Sequence, residues 1–77
     1  ITKMNYALPM RSRVVISIYN VLGQEVVTIL DQVEDYGYHT VSWNGTDDYG
    51  RPMASGVYFA RMMTSTFSKT KKMLLLK

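Results

Sequence analysis

Cysteine is absent from this 77-residue sequence, so the chain can form neither disulfides nor thiolate metal sites. Small secreted domains often use disulfides to supplement a small core, and their absence suggests a bacterial or intracellular origin. The sequence also lacks an apolar run of the ~20 residues that a membrane-spanning helix needs, and no signal peptide is visible. Because it opens with Ile1, we expect it to be a fragment of a larger protein.

Charge is also scarce, and it is unevenly placed. The net charge is +3, and four lysines lie in the last nine residues: Lys69, Lys71, Lys72 and Lys77. A nucleic-acid-binding domain needs a wider basic face with stacking aromatics between the cations. We therefore expect no nucleic-acid partner.

Alternation of apolar and polar residues with a period of two is what the sequence does have. Val14, Ile16 and Ile18 form one such row, and Tyr58 begins another. Six strands are predicted, at residues 2–8, 14–19, 25–31, 39–43, 56–62 and about 66–76. The sequence therefore predicts an all-β fold: a small immunoglobulin- or fibronectin-III-like antiparallel β-sandwich of six to seven strands, forming a single domain over residues 1–77.

The first reversal, Asn20 to Gly23, has the length and the glycine of a hairpin. A second reversal is predicted at Tyr36-Gly37. The first one contains two aliphatic residues, Val21 and Leu22, where polar residues are usual. We expect this hairpin to fold over the end of the sandwich, so that both side chains cap the core and each contributes about 2 kcal/mol.

The longest connection, residues 44–56, is rich in glycine and aspartate and is predicted to cross between the sheets. Asp47 and Asp48 raise the alternative of a calcium loop. However, Tyr49 stands where such a loop has glycine, and Ser55 where it has a bidentate glutamate. Asx turns are the preferred interpretation, and no metal or cofactor is predicted.

Tyr58, near the start of the fifth strand, fits the tyrosine corner of immunoglobulin-like sandwiches, in which a tyrosine hydrogen-bonds to the preceding corner. Ala60 follows where those domains have a disulfide cysteine. Trp43 shares the phase of Val41 and is predicted to fill the core. The lone histidine, His39, has no nucleophile in an evident triad and is interpreted as a surface strand residue. No catalytic residue is predicted, and an enzyme is the least favoured class.

Three segments, YNVLGQEV (19–26), GYHTVSWNGTDDYGRPMASGVYFARM (37–62) and KTKKMLLLK (69–77), resemble the C-terminal sorting domain of type IX secretion cargo proteins. That family is related in fold to the immunoglobulin-like domain of the flagellar hook-capping protein. The resemblance has a structural signature of five residues: Gly23, Trp43, Asp47, Gly56 and Tyr58.

The resemblance implies a non-catalytic domain at the end of a larger secreted protein, with a cargo domain upstream in the same parent chain. It implies passage through the periplasm, recognition by an outer-membrane translocon and processing by a sortase-like enzyme. The cargo would then be secreted or held at the outer-membrane surface.

The terminal segment is the sharpest local signal, because a strand here is apolar on both faces. Met73 and Leu75 face one way, and Leu74 and Leu76 the other. The expected translocon-recognition residues are Lys71, Lys72, Met73, Leu74, Leu75, Leu76 and Lys77. The alternative is a closing strand whose leucines are covered locally, with lysines that discourage aggregation. A homodimer through this strand is also possible.

Two further functions remain open from the sequence. One is a structural assembly module like the flagellar hook-cap domain. The other is an accessory carbohydrate-binding domain of a secreted hydrolase, which requires Trp43 or several tyrosines to be exposed in a row.

Overall fold

The computed structural model describes residues 2–76, which contain six strands. None of these residues belongs to a helix long and apolar enough to span a membrane. The strands are β1 (Thr2–Leu8), β2 (Ser12–Tyr19), β3 (Glu25–Glu34), β4 (Gly37–Trp43), β5 (Gly56–Met63) and β6 (Ser68–Leu75).

The strands form two antiparallel sheets of unequal width. β1 pairs with β4 in the smaller sheet, and the larger sheet has the order β3-β2-β5-β6. The sheets pack through their apolar faces, so the predicted immunoglobulin-like sandwich of six strands is confirmed. The connection from β3 to β4 and the connection from β4 to β5 each run from one sheet to the other. The second of these was predicted for residues 44–56.

Burial follows the predicted alternation in the two central strands. Val14, Ile16 and Ile18 of β2 are buried, and in β5 the buried row starts at Tyr58 and ends at Met62. Side chains two residues apart in a strand share a face, so each strand directs one apolar row between the sheets.

β3 differs from the other strands because its pairing with β2 is interrupted twice. The register steps over Ile29 and over Val26, so β3 carries the extra residue at both bulges. β6, at the opposite edge, pairs with β5 without a break from Ser68 to Leu75. Bulges twist an edge strand and disrupt its ladder, so only one edge of the larger sheet is regular.

The core has two clusters along the sandwich. One contains Met4, Ile18, Val26, Trp43, Tyr58, Ala60 and Leu75, and the other contains Leu8, Val14, Ile16 and Met62. Trp43 is 1% exposed and meets the Tyr58 ring edge-on at 5.1 Å between centroids. The predicted core position of Trp43 is therefore confirmed.

Candidate interaction surface

Val21 and Leu22 are exposed at the tip of the β2–β3 hairpin, by 68% and 79%. The expectation that they cap the core is wrong. They occupy the two central positions of a turn that closes with a hydrogen bond from Gly23 N to Asn20 O at 3.0 Å, and side chains at these positions project outward. The core at this end is already closed by other residues, among them Trp43 and Leu75.

Asn20 holds this tip in a fixed conformation. Its Oδ1 accepts hydrogen bonds from the backbone N–H groups of Leu22 and Gln24, each at 3.0 Å, and its Nδ2 donates to Gln24 Oε1 at 2.9 Å. Gly23 adopts φ +80°, a left-handed conformation that suits glycine. The two aliphatic side chains are thus presented to solvent on an ordered turn.

The terminal strand divides as the alternation predicts. Leu75 is buried at 4% exposure and Met73 is half-buried, whereas Leu74 and Leu76 are 59% and 80% exposed. The lysines before them, Lys71 and Lys72, are exposed too. Of the seven residues expected to recognise a translocon, Lys77 lies outside the described residues. Leu75 belongs to the core and is not accessible to a partner.

The hairpin tip and the terminal leucines lie at the same end of the sandwich. β2 ends beside β5, where Tyr19 pairs with Phe59, and Leu75 pairs with Gly56 at the start of β5. The connection between β4 and β5 lies at this end as well. We name this region the hairpin end and define its exposed apolar side chains as Val21, Leu22, Tyr49, Leu74 and Leu76.

Asp47 organises the long connection beside this surface. Its Oδ1 accepts backbone hydrogen bonds from Tyr49 and Arg51 at 2.9 Å, and its Oδ2 accepts from Arg51 Nε at 2.7 Å. Partial burial raises the pKa of Asp47, but these hydrogen bonds outweigh that effect and lower it below its usual value. The predicted Asx turn is confirmed. Within residues 2–76 no cluster of three or more metal-binding side chains occurs.

The tyrosine corner is present, as predicted. Tyr58 Oη donates to the Ala54 carbonyl at 2.7 Å, and Trp43 Nε1 donates to the Thr46 carbonyl at 2.9 Å. Two buried aromatic rings are therefore each tied to the long connection. Gly56, with φ +155°, begins β5 and lies between Ala54 and Tyr58 in the chain. The five signature residues all lie at the hairpin end.

His39 is half-buried rather than on the open surface. Its Nε2 donates to the Asp35 carbonyl at 2.7 Å, and its ring stacks on Tyr6 at 5.2 Å between centroids. Tyr6 Oη donates to Glu34 Oε1 at 3.2 Å. Burial, together with the charge and the hydrogen bond of Glu34, raises the pKa of Tyr6 to about 12. These contacts join β1, β3 and β4 and form no triad.

The carbohydrate-binding alternative requires aromatic rings that the described residues do not present in a row. Trp43 is buried. Three tyrosines are largely exposed, but Tyr49 lies at the hairpin end and Tyr36 and Tyr38 at the opposite end, where β4 begins. No continuous stacking platform results.

Comparison with known proteins identifies the family. The model of the FlgD Ig-like domain matches residues 2–67. The chain belongs to the FlgD Ig-like domain family. Among solved structures, FlgD from P. aeruginosa superposes with a TM-score of 0.75 at 27% sequence identity, over 94% of this chain and 57% of that one. The chain thus spans little more than half the length of that protein. A search of curated proteins gives no significant match.

The family match ends at Phe67, one residue before β6 begins. The lysine- and leucine-rich strand therefore lies beyond the part of this FlgD Ig-like domain that the family model describes. Sequence reasoning identified that strand, but it missed the exposed hairpin tip. The available signal for the tip was the position of Val21 and Leu22 at the centre of a turn.

Proposed function

We propose that this FlgD Ig-like domain is a non-catalytic structural module of a protein assembly, like the immunoglobulin-like domain of the flagellar hook cap. The observation that carries the proposal is the hairpin end, where Val21 and Leu22 are exposed on a turn fixed by Asn20. Exposed apolar side chains that cluster on a surface mark protein–protein contact sites. The family match and the likeness to FlgD support the same class of function.

The rigidity of the tip favours a binding role. Ordering a flexible loop on binding costs free energy. Because the Asn20 hydrogen bonds already order this turn in the folded domain, binding does not have to order it. The two aromatic anchors behind the tip, Trp43 and Tyr58, fix the neighbouring connection. A partner would therefore meet a preformed surface.

Site-specific photocrosslinking in the full-length parent protein, expressed in its own host, tests this proposal. A photoreactive phenylalanine analogue replaces Leu22 in one variant and Tyr38 in the other. Tyr38 is a matched control because it is 93% exposed and lies at the opposite end. We expect a discrete crosslinked product from position 22 alone. Equal products from both positions, or none from position 22, would refute the proposed contact surface.

A second candidate function is secretion and sorting, and a separate observation favours it. Leu74 and Leu76 are exposed at the end of β6, outside the region that the family model matches. An apolar, lysine-flanked strand end suits recognition by strand addition or by an apolar groove. In this function the domain directs an upstream cargo through the periplasm to an outer-membrane translocon and a sortase-like enzyme, and so to the cell surface or the medium.

An export assay tests the second candidate. Residues 1–77 are fused behind a signal peptide and a reporter, in a host with type IX secretion machinery. We expect removal of the last six residues, or the pair L74S/L76S, to abolish export, whereas V21S/L22S leaves it unchanged. Equal export of all constructs would exclude a sorting role for the tail. The same chain analysed by sedimentation velocity tests the proposed homodimer, since L74S/L76S should reduce any dimer that forms through β6.

A further inference from the structure

The two outer faces of the sandwich differ in composition. An antiparallel sheet that covers a core on one side commonly points apolar residues inward and polar residues outward. The smaller sheet follows this pattern, because its outward side chains are all exposed and all but Ala7 and Tyr38 are polar. They are Lys3, Asn5, Ala7, Tyr38, Thr40 and Ser42.

The larger sheet departs from this pattern on β2, β5 and β6. Six of its outward side chains are apolar: Val15, Tyr19, Val57, Phe59, Met63 and Leu74. Leu74 is 59% exposed and the other five are half-buried, so part of each remains in contact with water. A notch of about 300 Å³ on this face is lined by Tyr19, Phe59 and Arg61 together with Val21 of the hairpin tip. The apolar outer face is thus continuous with the hairpin end.

One row across this face has opposite charges at its two ends. Tyr19 of β2 pairs with Glu25 of β3 on one side and with Phe59 of β5 on the other. Phe59 pairs in turn with Lys72 of β6. Residues directly opposite each other in a ladder share a face of the sheet, so the order across the face is carboxylate, tyrosine, phenylalanine, ammonium. The two outer strands are about 14 Å apart, and within residues 2–76 neither Glu25 nor Lys72 forms an ion pair.

This row is complementary to itself when it is reversed. A twofold axis that runs along the strands, midway between β2 and β5, places a second copy face to face with the first and reverses the order of its strands. Glu25 then lies opposite Lys72 of the second copy, and Tyr19 lies opposite Phe59. Each contact occurs twice, as an isologous interface requires.

The neighbouring rows also avoid like charges in this arrangement. Arg61 pairs with Ser17, so the reversal sets its guanidinium opposite a serine of the second copy and not opposite another arginine. Val15 pairs with Met63, so two apolar side chains meet in the following row. A twofold axis that runs across the strands would instead set Lys72 against Lys72. The charges therefore favour the axis along the strands.

We propose that the outer face of the larger sheet binds a second copy of this domain, with the two sheets packed face to face about this axis. Tyr19 and Phe59 form the apolar centre of the interface, and Glu25 and Lys72 form two equivalent ion pairs at its rim. Sheets packed in this way keep their strand directions within about 30° and lie about 10 Å apart. The long side chains of Glu25 and Lys72 span this gap from the two sides.

The size of the face predicts a weak dimer. Four strands of about eight residues cover roughly 19 Å by 27 Å, or about 500 Å². A standard interface buries about 800 Å² on each partner. We therefore expect a dissociation constant on the order of several hundred micromolar.

Face packing differs from association through the edge of β6. An edge pair adds main-chain hydrogen bonds to β6 and slows the hydrogen exchange of its amides. Face packing buries side chains and adds no main-chain hydrogen bond. The residues at the centre of this face are not those that define the hairpin end, so this inference does not rest on the proposed function.

Sedimentation velocity and NMR dilution of the 77-residue chain test the proposal. The range is about 20 μM to about 2 mM at low ionic strength, because salt screens exposed charges. We expect a concentration-dependent dimer, with amide shifts at Tyr19 and Phe59 and no slowed exchange in β6. F59T should weaken association at least about tenfold, because it removes a central ring but keeps a β-branched residue that suits a strand. Thermal unfolding shows whether F59T is folded.

Charge reversal at the two ends of the row tests the axis itself. E25K or K72E alone sets like charges opposite each other at two places in the dimer and should weaken association at least about fivefold. An equimolar mixture of the two variants restores both ion pairs in the heterodimer and should associate about as tightly as wild type. K71E is the matched control, because it changes the net charge as K72E does but pairs with Ala60 on the core face. It should change association by less than about twofold.

Four results would overturn the proposal. The first is a monomer at every concentration. Equal losses in K71E and K72E would mean that net charge alone governs association. A mixture of E25K and K72E that associates no more tightly than either variant alone would refute the reversed alignment. A dimer with slowed exchange in β6 that F59T does not weaken would mean association through the edge. The crosslinking test monitors Leu22 in the parent protein, so the two proposals can fail separately.

Discussion

The Tyr58 hydroxyl offers the sharpest test of what holds the hairpin end together. The variant Y58F keeps the ring and its edge-on contact with Trp43 but removes the 2.7 Å hydrogen bond to the Ala54 carbonyl. A hydrogen bond of this kind contributes about 1 kcal/mol net. Because Ala54 is itself exposed, water can hydrate the released carbonyl, so the full cost of a buried unsatisfied group does not apply.

For a 77-residue chain the free energy of unfolding is on the order of 4–12 kcal/mol, and a loss of about 1 kcal/mol lowers Tm by roughly 4–8 °C. Trp43, the single tryptophan and 1% exposed, reports unfolding by fluorescence in urea. The control Y38F removes a hydroxyl from a side chain that is 93% exposed and should change stability by less than about 0.5 kcal/mol. If the free energy of unfolding of Y58F matched that of wild type, or if Y38F lowered it as much as Y58F does, the tyrosine corner would not stabilise the domain.

Substitutions at three other residues give separate outcomes. Gly23 has φ +80° and no atom within 4 Å of an added Cβ, so G23A should cost about 1–2 kcal/mol from backbone strain alone, and G23N clearly less; equal urea midpoints for the two variants would contradict this. Since the pKa of Asp47 is lowered, its carboxylate stabilises the fold above about pH 4 and this contribution is lost as pH falls through the lowered pKa. D47N should therefore show a shallower loss of stability on acidification, and an unchanged slope would disprove the role of Asp47. The pKa of Tyr6 is raised to about 12 by burial and by Glu34, so its contribution is complete below about pH 10 and is lost as pH rises towards 12. E34Q should lower that pKa, measured by carbon NMR of the Tyr6 ring, and a pKa that stays at the wild-type value would rule out the carboxylate as a cause.

The strands were predictable because their causes are local. Alternation set the faces of β2, β4 and β5, and Gly23 marked the end of the first turn. The tyrosine corner was also predictable, since Tyr58 stands at a fixed place relative to the preceding connection. The division of the terminal strand into buried Leu75 and exposed Leu74 followed from the same two-residue period.

The hairpin tip could not be assigned in the same way, because burial there depends on distant residues. Val21 and Leu22 would cap the core only if that end were open, and it is closed by Trp43, Val26 and Leu75. The division of six strands between a two-stranded and a four-stranded sheet has the same character, because no single strand encodes it.

The two outer strands of the larger sheet also limit how far the protein can associate. β3 carries two extra residues, Ile29 and Val26, that break its ladder, whereas β6 is regular along its whole length. Pairing through the edges of the larger sheet can therefore proceed on one side only. Two copies that meet through β6 use the regular edge of the larger sheet in both, so this sheet cannot add a third copy.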